Sequence, residues 1–276
     1  MLTDLASPAV PAGQATLAVE MVFGESTVTT SLSSSPMKLL TPVSRGRSVW
    51  AYTSNFGGGL VAGDQTRLDL ALGPETRCYL GTQSSTKIYR NPTRQPCSHF
   101  TRATLAAGAR LIFTPEPVQA FAESHYSQRQ EFHLESGAGL VLLDWFTSGR
   151  AARGERWTFS HLESRTDVYL NGERVLVDSL RLNSPAVPAR LGRFNCLATL
   201  LFLGEPLKAV AAAALKEMAG RPVAKTAALS WSASPVGDGV LMRGAGETVE
   251  AVREEIQAQL FFLRDMLGDD PWSRRW

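Results

Sequence analysis

The sequence predicts a mainly β protein with two α-helices near its C-terminus, and three observations support this fold class. Over most of the chain up to about Leu203, apolar residues recur at every second position, which is the period of a half-buried strand. Glycine and proline interrupt the alternating runs at short intervals, as turns between strands require. Beyond Leu203 the apolar spacing changes to steps of three and four, the period of a helix with one buried face.

The alternating runs define the predicted strands in chain order. In the first of them, Leu17, Val19 and Met21 occupy every second position. Asn171-Gly172 lies between two such runs and predicts a tight hairpin, because both central residues of that turn adopt a positive φ. The predicted strands are residues 17–22, 48–54, 67–72, 75–80, 100–105, 110–113, 127–134, 140–147, 166–170, 173–182, 226–233 and 239–243.

Two segments of the C-terminal quarter predict helices. Residues 207–219 are rich in alanine and place apolar side chains on one face. Residues 247–267 place apolar side chains at steps of three and four, and Gly268 follows directly as a helix stop. The β-rich part covers residues 15–203, and the chain has neither an internal repeat nor a clear linker. We therefore expect residues 1–276 to form a single domain.

The composition is that of an ordinary globular protein. The 276 residues include 28 Lys and Arg against 26 Asp and Glu, a formal net charge of +2, which argues against a basic nucleic-acid-binding surface. No apolar run is long enough to span a bilayer and no basic residue precedes Lys38, so we expect a cytoplasmic protein without a signal peptide. Cys78, Cys97 and Cys196 are widely spaced, which favours neither a disulfide framework nor a thiolate zinc site.

The most distinctive stretch is rich in glycine and runs from Asn55 to Asp64. Gly57, Gly59 and Ala62 satisfy the spacing of a dinucleotide-binding motif, but that motif requires a helix next, whereas the following residues alternate like a strand. We therefore predict a tight glycine turn between strands. Such a turn can be purely structural, or it can pack the backbone closely while Asp64 projects into a cavity.

Other segments contain residues that can act as catalytic groups or metal ligands, but none of these segments has a complete catalytic or metal-binding pattern. Asp144 lies in an apolar run, where a carboxylate is either exposed or needs a buried partner. Cys97 and His99 can place two metal ligands on one side of a strand, but no third ligand is near in sequence. Asp64 paired with Asp144 or Glu116 could perform general acid–base chemistry, which leaves a β-rich hydrolase as an alternative function.

Five segments of the chain, each weak alone, carry a specific signal through their order. They are Ser35-Pro36-Met37-Lys38-Leu39-Leu40, Gly57-Gly58-Gly59-Leu60-Val61-Ala62-Gly63-Asp64, Thr82 to Arg90, Pro115-Glu116-Pro117, and Gly149-Arg150 with Gly154-Glu155 and Trp157. In this order they resemble the UreD family of urease accessory proteins, called UreH in some bacteria. Ala62 departs from the family pattern, which commonly has glycine there.

The resemblance implies a non-catalytic scaffold that binds apo-urease together with UreF and the GTPase UreG and helps to deliver Ni²⁺. It implies a two-layer, β-helix-like stack of many strands with two C-terminal helices, in agreement with the periodicity. It also implies a water-filled tunnel in which Ni²⁺ is bound transiently, with no tightly bound cofactor. Oxygen ligands suit such a conduit because they hold Ni²⁺ weakly.

The resemblance also assigns roles to single residues. Those expected to line the tunnel are Asp64, Ser85, Asp144 and Glu155. Those expected to hold the fold or to position these carboxylates are Gly57, Gly58, Gly59, Gly63, Lys87, Tyr89, Arg90, Glu116 and Arg150. Phe261 and Phe262 are apolar residues beyond those that one buried helix face requires, so either of them can face UreF or the core. An interaction module whose motifs are all structural stays a third possibility.

Overall fold

In the computed structural model, the chain folds as two facing β-sheets with helices against one of them. The structure describes residues 11–43, 46–93, 95–183, 185–222 and 224–273. Residues 1–10 and 274–276 of the predicted single domain therefore lie outside the described part of the chain.

Strands are the main secondary structure of the described residues, as predicted. The strands are β1 (Gln14–Val22), β2 (Glu25–Ser33), β3 (Met37–Leu40), β4 (Val49–Asn55), β5 (Gly59–Leu60), β6 (Gln65–Leu72), β7 (Arg77–Thr82), β8 (Thr86–Ile88), β9 (Cys97–Leu105), β10 (Arg110–Phe113), β11 (Val118–Ala120), β12 (His125–Leu134), β13 (Gly139–Thr147), β14 (His161–Leu170), β15 (Glu173–Leu182), β16 (Cys196–Leu203), β17 (Leu229–Val236) and β18 (Gly239–Gly246). The helices are α1 (Val187–Leu191), α2 (Lys208–Ala219), α3 (Val249–Gln259) and α4 (Leu263–Leu267). Over the ranges described, no helix has the length and apolar character needed to cross a membrane.

The strands stack in two layers. Sheet 1 has the strand order β15-β14-β12-β9-β6-β1-β2, and sheet 2 has the order β17-β18-β16-β13-β10-β7-β4-β3. The central strands of each sheet are parallel. The chain passes from sheet 2 to sheet 1 and back about four times, while β5, β8 and β11 pair in parallel at one side. The predicted two-layer, β-helix-like stack is therefore confirmed.

Antiparallel strands close both ends of the stack. On sheet 1, β2 pairs with β1 and β15 pairs with β14. On sheet 2, β3 pairs with β4 at one end, and β16, β18 and β17 extend the sheet at the other. The hairpin between β14 and β15 turns at Asn171-Gly172, whose φ angles of 51° and 82° confirm the predicted turn.

Three apolar cores stabilise the stack, and the smallest lies around β5, β8 and β11. The inward faces of the two sheets pack against each other, with Leu111, Phe132 and Leu140 fully buried. The outer face of sheet 2 packs against the C-terminal helices, with Trp50 and Phe202 buried there. Each side chain of this kind contributes about 1.5–3 kcal/mol by leaving water.

The second predicted helix, residues 247–267, is broken in the structure. Its first part, α3, ends at Gln259, and its second part, α4, begins at Leu263. Helix α3 contacts β16 and β18, whereas α4 contacts β7. Because a sheet twists, one straight helix cannot follow these strands over such a distance. The apolar spacing continues through the bend, since Leu260 and Leu263 are both buried. The short helix α1 has no counterpart among the predicted elements.

Candidate functional site

A band of polar side chains, here called the polar belt, crosses the apolar interior between the two sheets. The parallel strands of sheet 1 are in register, so equivalent inward positions stack along the axis. The members on sheet 1 are Thr66, His99, Gln128 and Ser164 in one row, and Thr101, Gln130 and Thr166 in the next. The members on sheet 2 are Thr53, Thr82 and Asp144.

Asp144 is the acidic member of the polar belt. It follows Leu142 by two positions on β13, and the Leu142 side chain packs in the interior, so strand alternation directs the carboxylate inward. Asp144 Oδ1 accepts a hydrogen bond of 2.8 Å from Gln128 Nε2, and its Oδ2 accepts one of 2.6 Å from Ser164 Oγ. Tyr126 donates to Gln128 Oε1 at 3.2 Å. This network joins sheet 2 to two neighbouring strands of sheet 1.

Burial sets the protonation of the belt. Desolvation raises the pKa of Asp144 to about 6, although hydrogen bonds from Ser164 and Gln128 oppose the shift. Burial lowers the pKa of His99 to about 4, so this imidazole is neutral at physiological pH. Its Nδ1 lies 2.8 Å from Thr66 Oγ1 and its Nε2 lies 3.0 Å from Thr101 Oγ1. The belt thus combines a carboxylate that is charged above about pH 6 with neutral hydroxyl, amide and imidazole groups.

The polar belt borders several neighbouring cavities. The central cavity has a volume of about 60 Å³, enough for ordered water. A serine cavity of about 40 Å³ is lined by Ser85 and shares Thr53 and Thr82 with the central cavity. In the other direction, Asp144 also lines a distal cavity of about 10 Å³ together with Asp178. Shared side chains therefore place these three cavities next to one another in the interior.

A larger cavity of about 340 Å³, the C-terminal cavity, lies between sheet 2 and the C-terminal helices. Its lining includes Tyr52, Tyr79, Gln83, Arg253, Gln257, Pro271 and Trp272. Thr82 and Glu116 line both this cavity and the central cavity. These two side chains therefore form part of the wall between them.

The interior lacks a preformed metal centre in the ranges that the structure describes, where no three His, Cys, Asp or Glu side chains are grouped to hold an ion. Cys97, one of the two predicted strand-side ligands, donates through Sγ to His125 O at 3.4 Å. Burial raises the pKa of Cys97 to about 12, so the thiol stays protonated at neutral pH. His99, the other, has both ring nitrogens against threonine hydroxyls. The remaining donors are mostly oxygen atoms, which hold a transition metal weakly.

The glycine segment forms a turn at the side of the stack. Gly57, Gly58 and Gly63 have φ angles of 78°, 73° and 87°, in the region that favours glycine. Gly59 is extended, but β5 pairs with β8 so closely that a Cβ atom there would lie 2.3 Å from Lys87 O. The glycines are therefore needed both for the turn and for this close approach.

Asp64 closes this turn. Its Oδ2 accepts a hydrogen bond of 2.9 Å from the backbone N–H of Val61, and the Tyr89 hydroxyl donates to Gly57 O at 3.1 Å. Among the described residues, the carboxylates that line the central cavity are those of Glu116 and Asp144. Asp64 and Asp144 thus have different surroundings, and the pair that the hydrolase alternative requires is not assembled in a common cavity.

Two further predicted residues, Arg90 and Glu155, form ion pairs at the same side of the stack. Arg90 Nε donates to Glu123 Oε2 at 2.8 Å. Arg150 Nε donates to Glu155 Oε2 at 2.9 Å and lies over the Phe121 ring, 4.4 Å from its centroid. The Arg150 guanidinium lowers the pKa of the Glu155 carboxyl. In this conformation Glu155 fixes a loop, and its carboxylate is already paired.

Several belt members did not stand out in the sequence. Thr166 is an ordinary polar residue of a predicted strand, and Ser164 lies just before that predicted strand. Outside the belt, Arg253 of the C-terminal cavity is an ordinary basic residue of a predicted helix. A usable signal was present on β12, where Gln128 and Gln130 occupy inward positions between apolar residues. Register between strands turns such isolated positions into a continuous belt, and register is not visible in one strand alone.

The comparisons with known proteins agree with the resemblance. The family model described as UreD urease accessory protein matches residues 12–276. The chain is 43% identical over 271 residues to urease accessory protein UreD of Sorangium cellulosum (strain So ce56), covering 96% of this chain and 85% of that protein. It is 38% identical over 266 residues to urease accessory protein UreD of Anaeromyxobacter sp. (strain Fw109-5), covering 95% and 89%.

The similarity extends to a plant protein. The chain is 30% identical over 288 residues to urease accessory protein D of Arabidopsis thaliana, covering 92% of this chain and 98% of that protein. The family description gives these proteins an accessory role toward urease. The chain belongs to the UreD family of urease accessory proteins.

Proposed function

We propose that this chain is a cytoplasmic scaffold of urease maturation, which binds apo-urease together with UreF and the GTPase UreG. In this role it passes Ni²⁺ through its interior toward the urease active site. Membership of the UreD family supports the accessory role. The polar belt is the observation that supports a route through the interior.

The belt is unusual for its position. The interior between two packed sheets is normally filled with apolar side chains. Here Gln128, Gln130 and Ser164 are each no more than 7% exposed, yet all are polar. Burying polar groups costs free energy unless each finds a hydrogen-bond partner. A row of such groups beside neighbouring cavities is what a path for water and a hydrated cation requires.

The charge and donor chemistry of the belt fit transport better than storage. Asp144 supplies negative charge, while hydroxyl and amide oxygens supply neutral ligands that can be exchanged for water. Such a path holds Ni²⁺ briefly at each position, whereas a cluster of thiolates and imidazoles would retain it. Ser85 and Asp144 line the serine and distal cavities and lie on the proposed path. For Asp64 and Glu155 the tunnel role stays a prediction.

The bend between α3 and α4 offers a surface for UreF. Phe261 is 63% exposed at this bend. Phe262 instead packs edge-to-face against Phe202, with ring centroids 5.3 Å apart. Of the two predicted partner-facing residues, Phe261 is therefore the one available for contact. Exposed aromatic side chains of this kind often anchor protein interfaces.

We expect Phe261→Ser to weaken binding of UreF at least about tenfold, because a buried aromatic anchor is worth about 2 kcal/mol or more in an interface. Co-purification with UreF and its titration measure the effect. Phe23→Ser is the matched control, since Phe23 is a fully exposed phenylalanine on another element, the turn between β1 and β2. Equal affinity of the Phe261→Ser and wild-type chains for UreF would exclude this surface.

The function itself is tested in cells that express a urease operon with and without this chain. We expect apo-urease to accumulate without it, and both urease activity and bound nickel to be restored when the chain is supplied. Urease protein is measured separately, so that loss of expression is distinguished from loss of maturation. Full activity and full nickel content without the chain would refute the proposed function.

A further inference from the structure

The wall between the central cavity and the C-terminal cavity contains an ion pair whose two side chains are half-buried. Glu116, which lines both cavities, receives a two-pronged contact from Arg253 of α3. Arg253 Nη1 donates to Glu116 Oε1 at 2.9 Å, and Nη2 donates to Oε2 at 2.6 Å. Both carboxylate oxygens of Glu116 are thus occupied by one guanidinium.

The surroundings hold this pair in place from both sides. The Glu116 backbone N–H donates to Thr82 Oγ1 at 2.8 Å, and the flanking prolines restrict the backbone of this segment. The Arg253 guanidinium lies over the Trp145 ring, 5.2 Å from its centroid, and Trp145 Nε1 donates to Pro115 O at 2.8 Å. Glu116 is therefore fixed to sheet 2, whereas Arg253 belongs to a helix on its outer face.

We propose that Arg253 is a removable counter-ion that closes the passage between the C-terminal cavity and the central cavity, and that displacement of α3 opens this passage to cations. The inference rests on the proposed path of a cation through the interior. It adds a second entrance to that path, and it assigns the control of this entrance to Arg253 and Glu116.

The physical reason is the change of charge at the wall. With Arg253 in place, a cation that approaches from the C-terminal cavity meets a guanidinium and finds no free carboxylate oxygen. When α3 moves, the Glu116 carboxylate stays behind because its own backbone contacts are with sheet 2. The wall then presents an uncompensated negative charge, which attracts a cation and repels an anion. The side chain of Gln257, one helical turn after Arg253, also lines the C-terminal cavity and would move with it.

The passage can be probed with small alkylating reagents of different charge. Gln130→Cys places a thiol on the side of the central cavity formed by sheet 1, and the native cysteines Cys78, Cys97 and Cys196 are all buried. The reagents are 2-bromoethylamine, iodoacetamide and iodoacetate, which are cationic, neutral and anionic. In each case the thiolate sulfur forms a bond to carbon and a halide ion leaves. Intact-protein mass spectrometry gives the rate of alkylation.

In the Gln130→Cys background we expect Arg253→Met to raise the rate with 2-bromoethylamine at least about tenfold relative to iodoacetamide. Glu116→Gln leaves Arg253 unpaired, and in this variant we expect the alkylation rate to rise most with iodoacetate. Arg221→Met is the matched control. Arg221 also pairs with a carboxylate of α3, that of Glu255, but it does not line the wall between the two cavities. Arg253→Lys keeps the charge without the two-pronged contact. Its rate with 2-bromoethylamine relative to iodoacetamide is expected to lie between those of wild type and Arg253→Met.

Two results would overturn the proposal. One is an equal rise with all three reagents, which would indicate local loosening of the fold. The other is the same reagent preference in the Arg253→Met and Arg221→Met chains. Nickel loading of urease is measured with the same Arg253 variants in a chain that retains Gln130. If alkylation depends on charge but nickel loading is unchanged, the passage exists and Ni²⁺ does not use it. The proposal of a passage and the proposal of nickel transport can therefore fail separately.

Discussion

Asp144→Asn is expected to abolish most urease activation while making the protein more stable at neutral pH. The substitution keeps the shape of the side chain, and an asparagine can still accept from Gln128 and donate to the Ser164 hydroxyl. It removes the negative charge of the polar belt. We expect nickel per urease and urease activity to fall at least about tenfold, since a divalent cation in a poorly solvated site would lose more than about 1.4 kcal/mol of attraction.

The stability change has a definite sign. Burial raises the pKa of Asp144 to about 6 from an ordinary value of 3.8, so the folded state binds this proton more tightly than the unfolded state does. The charged carboxylate therefore destabilises the fold, in full above about pH 6 and not at all below about pH 4. Asp144→Asn should raise the free energy of unfolding by about 1–3 kcal/mol at pH 7–8, and the difference should vanish as the pH falls toward 4.

Denaturant unfolding as a function of pH measures the stability, and the operon assay measures the activation. Asp238→Asn is the control, because Asp238 forms an exposed ion pair with Lys208 on the surface. That variant should change neither quantity appreciably. If Asp144→Asn activates urease like the wild type, the carboxylate has no part in nickel delivery. A protein that gains stability and loses function would identify a buried charge retained for function.

The second large effect is expected at the glycine turn. In Gly59→Ala, the added Cβ would lie 2.3 Å from Lys87 O and 2.9 Å from the Tyr89 ring, so β5 and β8 must separate. We expect the free energy of unfolding to fall by about 3 kcal/mol or more, because the clash involves backbone that cannot repack. Loss of this pairing also disturbs the neighbouring serine cavity, so activation should fall with stability.

Gly57→Ala separates the clash from the general effect of losing a glycine. A Cβ at Gly57 meets no atom within 4 Å, although its φ of 78° is unfavourable for alanine. This variant should cost about 1–2 kcal/mol, the usual penalty for a left-handed residue other than glycine. Thermal and denaturant unfolding give both values. Equal costs for the two variants would mean that the close approach of β5 and β8 is not what requires Gly59.

The fold class could be predicted because it depends on local patterns. Alternation at every second residue predicted strands that are confirmed, among them β6 and β15, and Asn171-Gly172 predicted the turn that it forms. The broken helix shows the limit of this approach. Apolar spacing over residues 247–267 is the same for one helix or two, and the bend depends on which strands of sheet 2 each half contacts.

The candidate site was predictable only in part. Ser85 attracted attention through a motif and Asp144 as a carboxylate in an apolar run, and Asp144 proves to lie in the polar belt. Ser164, Thr66 and Arg253 carry no motif, since each acts through neighbours that are distant in sequence. The Glu116–Arg253 pair joins residues separated by 137 positions, and no local pattern predicts such a contact.

By itself, the sequence determined the mainly β class, the positions of most strands, the glycine turn and the resemblance to the UreD family. These follow from alternation, from backbone angles that only glycine tolerates, and from the order of short motifs. Tertiary structure decided which polar residues form a belt, which carboxylates share a cavity and which phenylalanine is exposed. The physical reason is register. Parallel stacking aligns the inward positions of separate strands, and the burial and charge of the side chains at these positions depend on their neighbours in the adjacent strands.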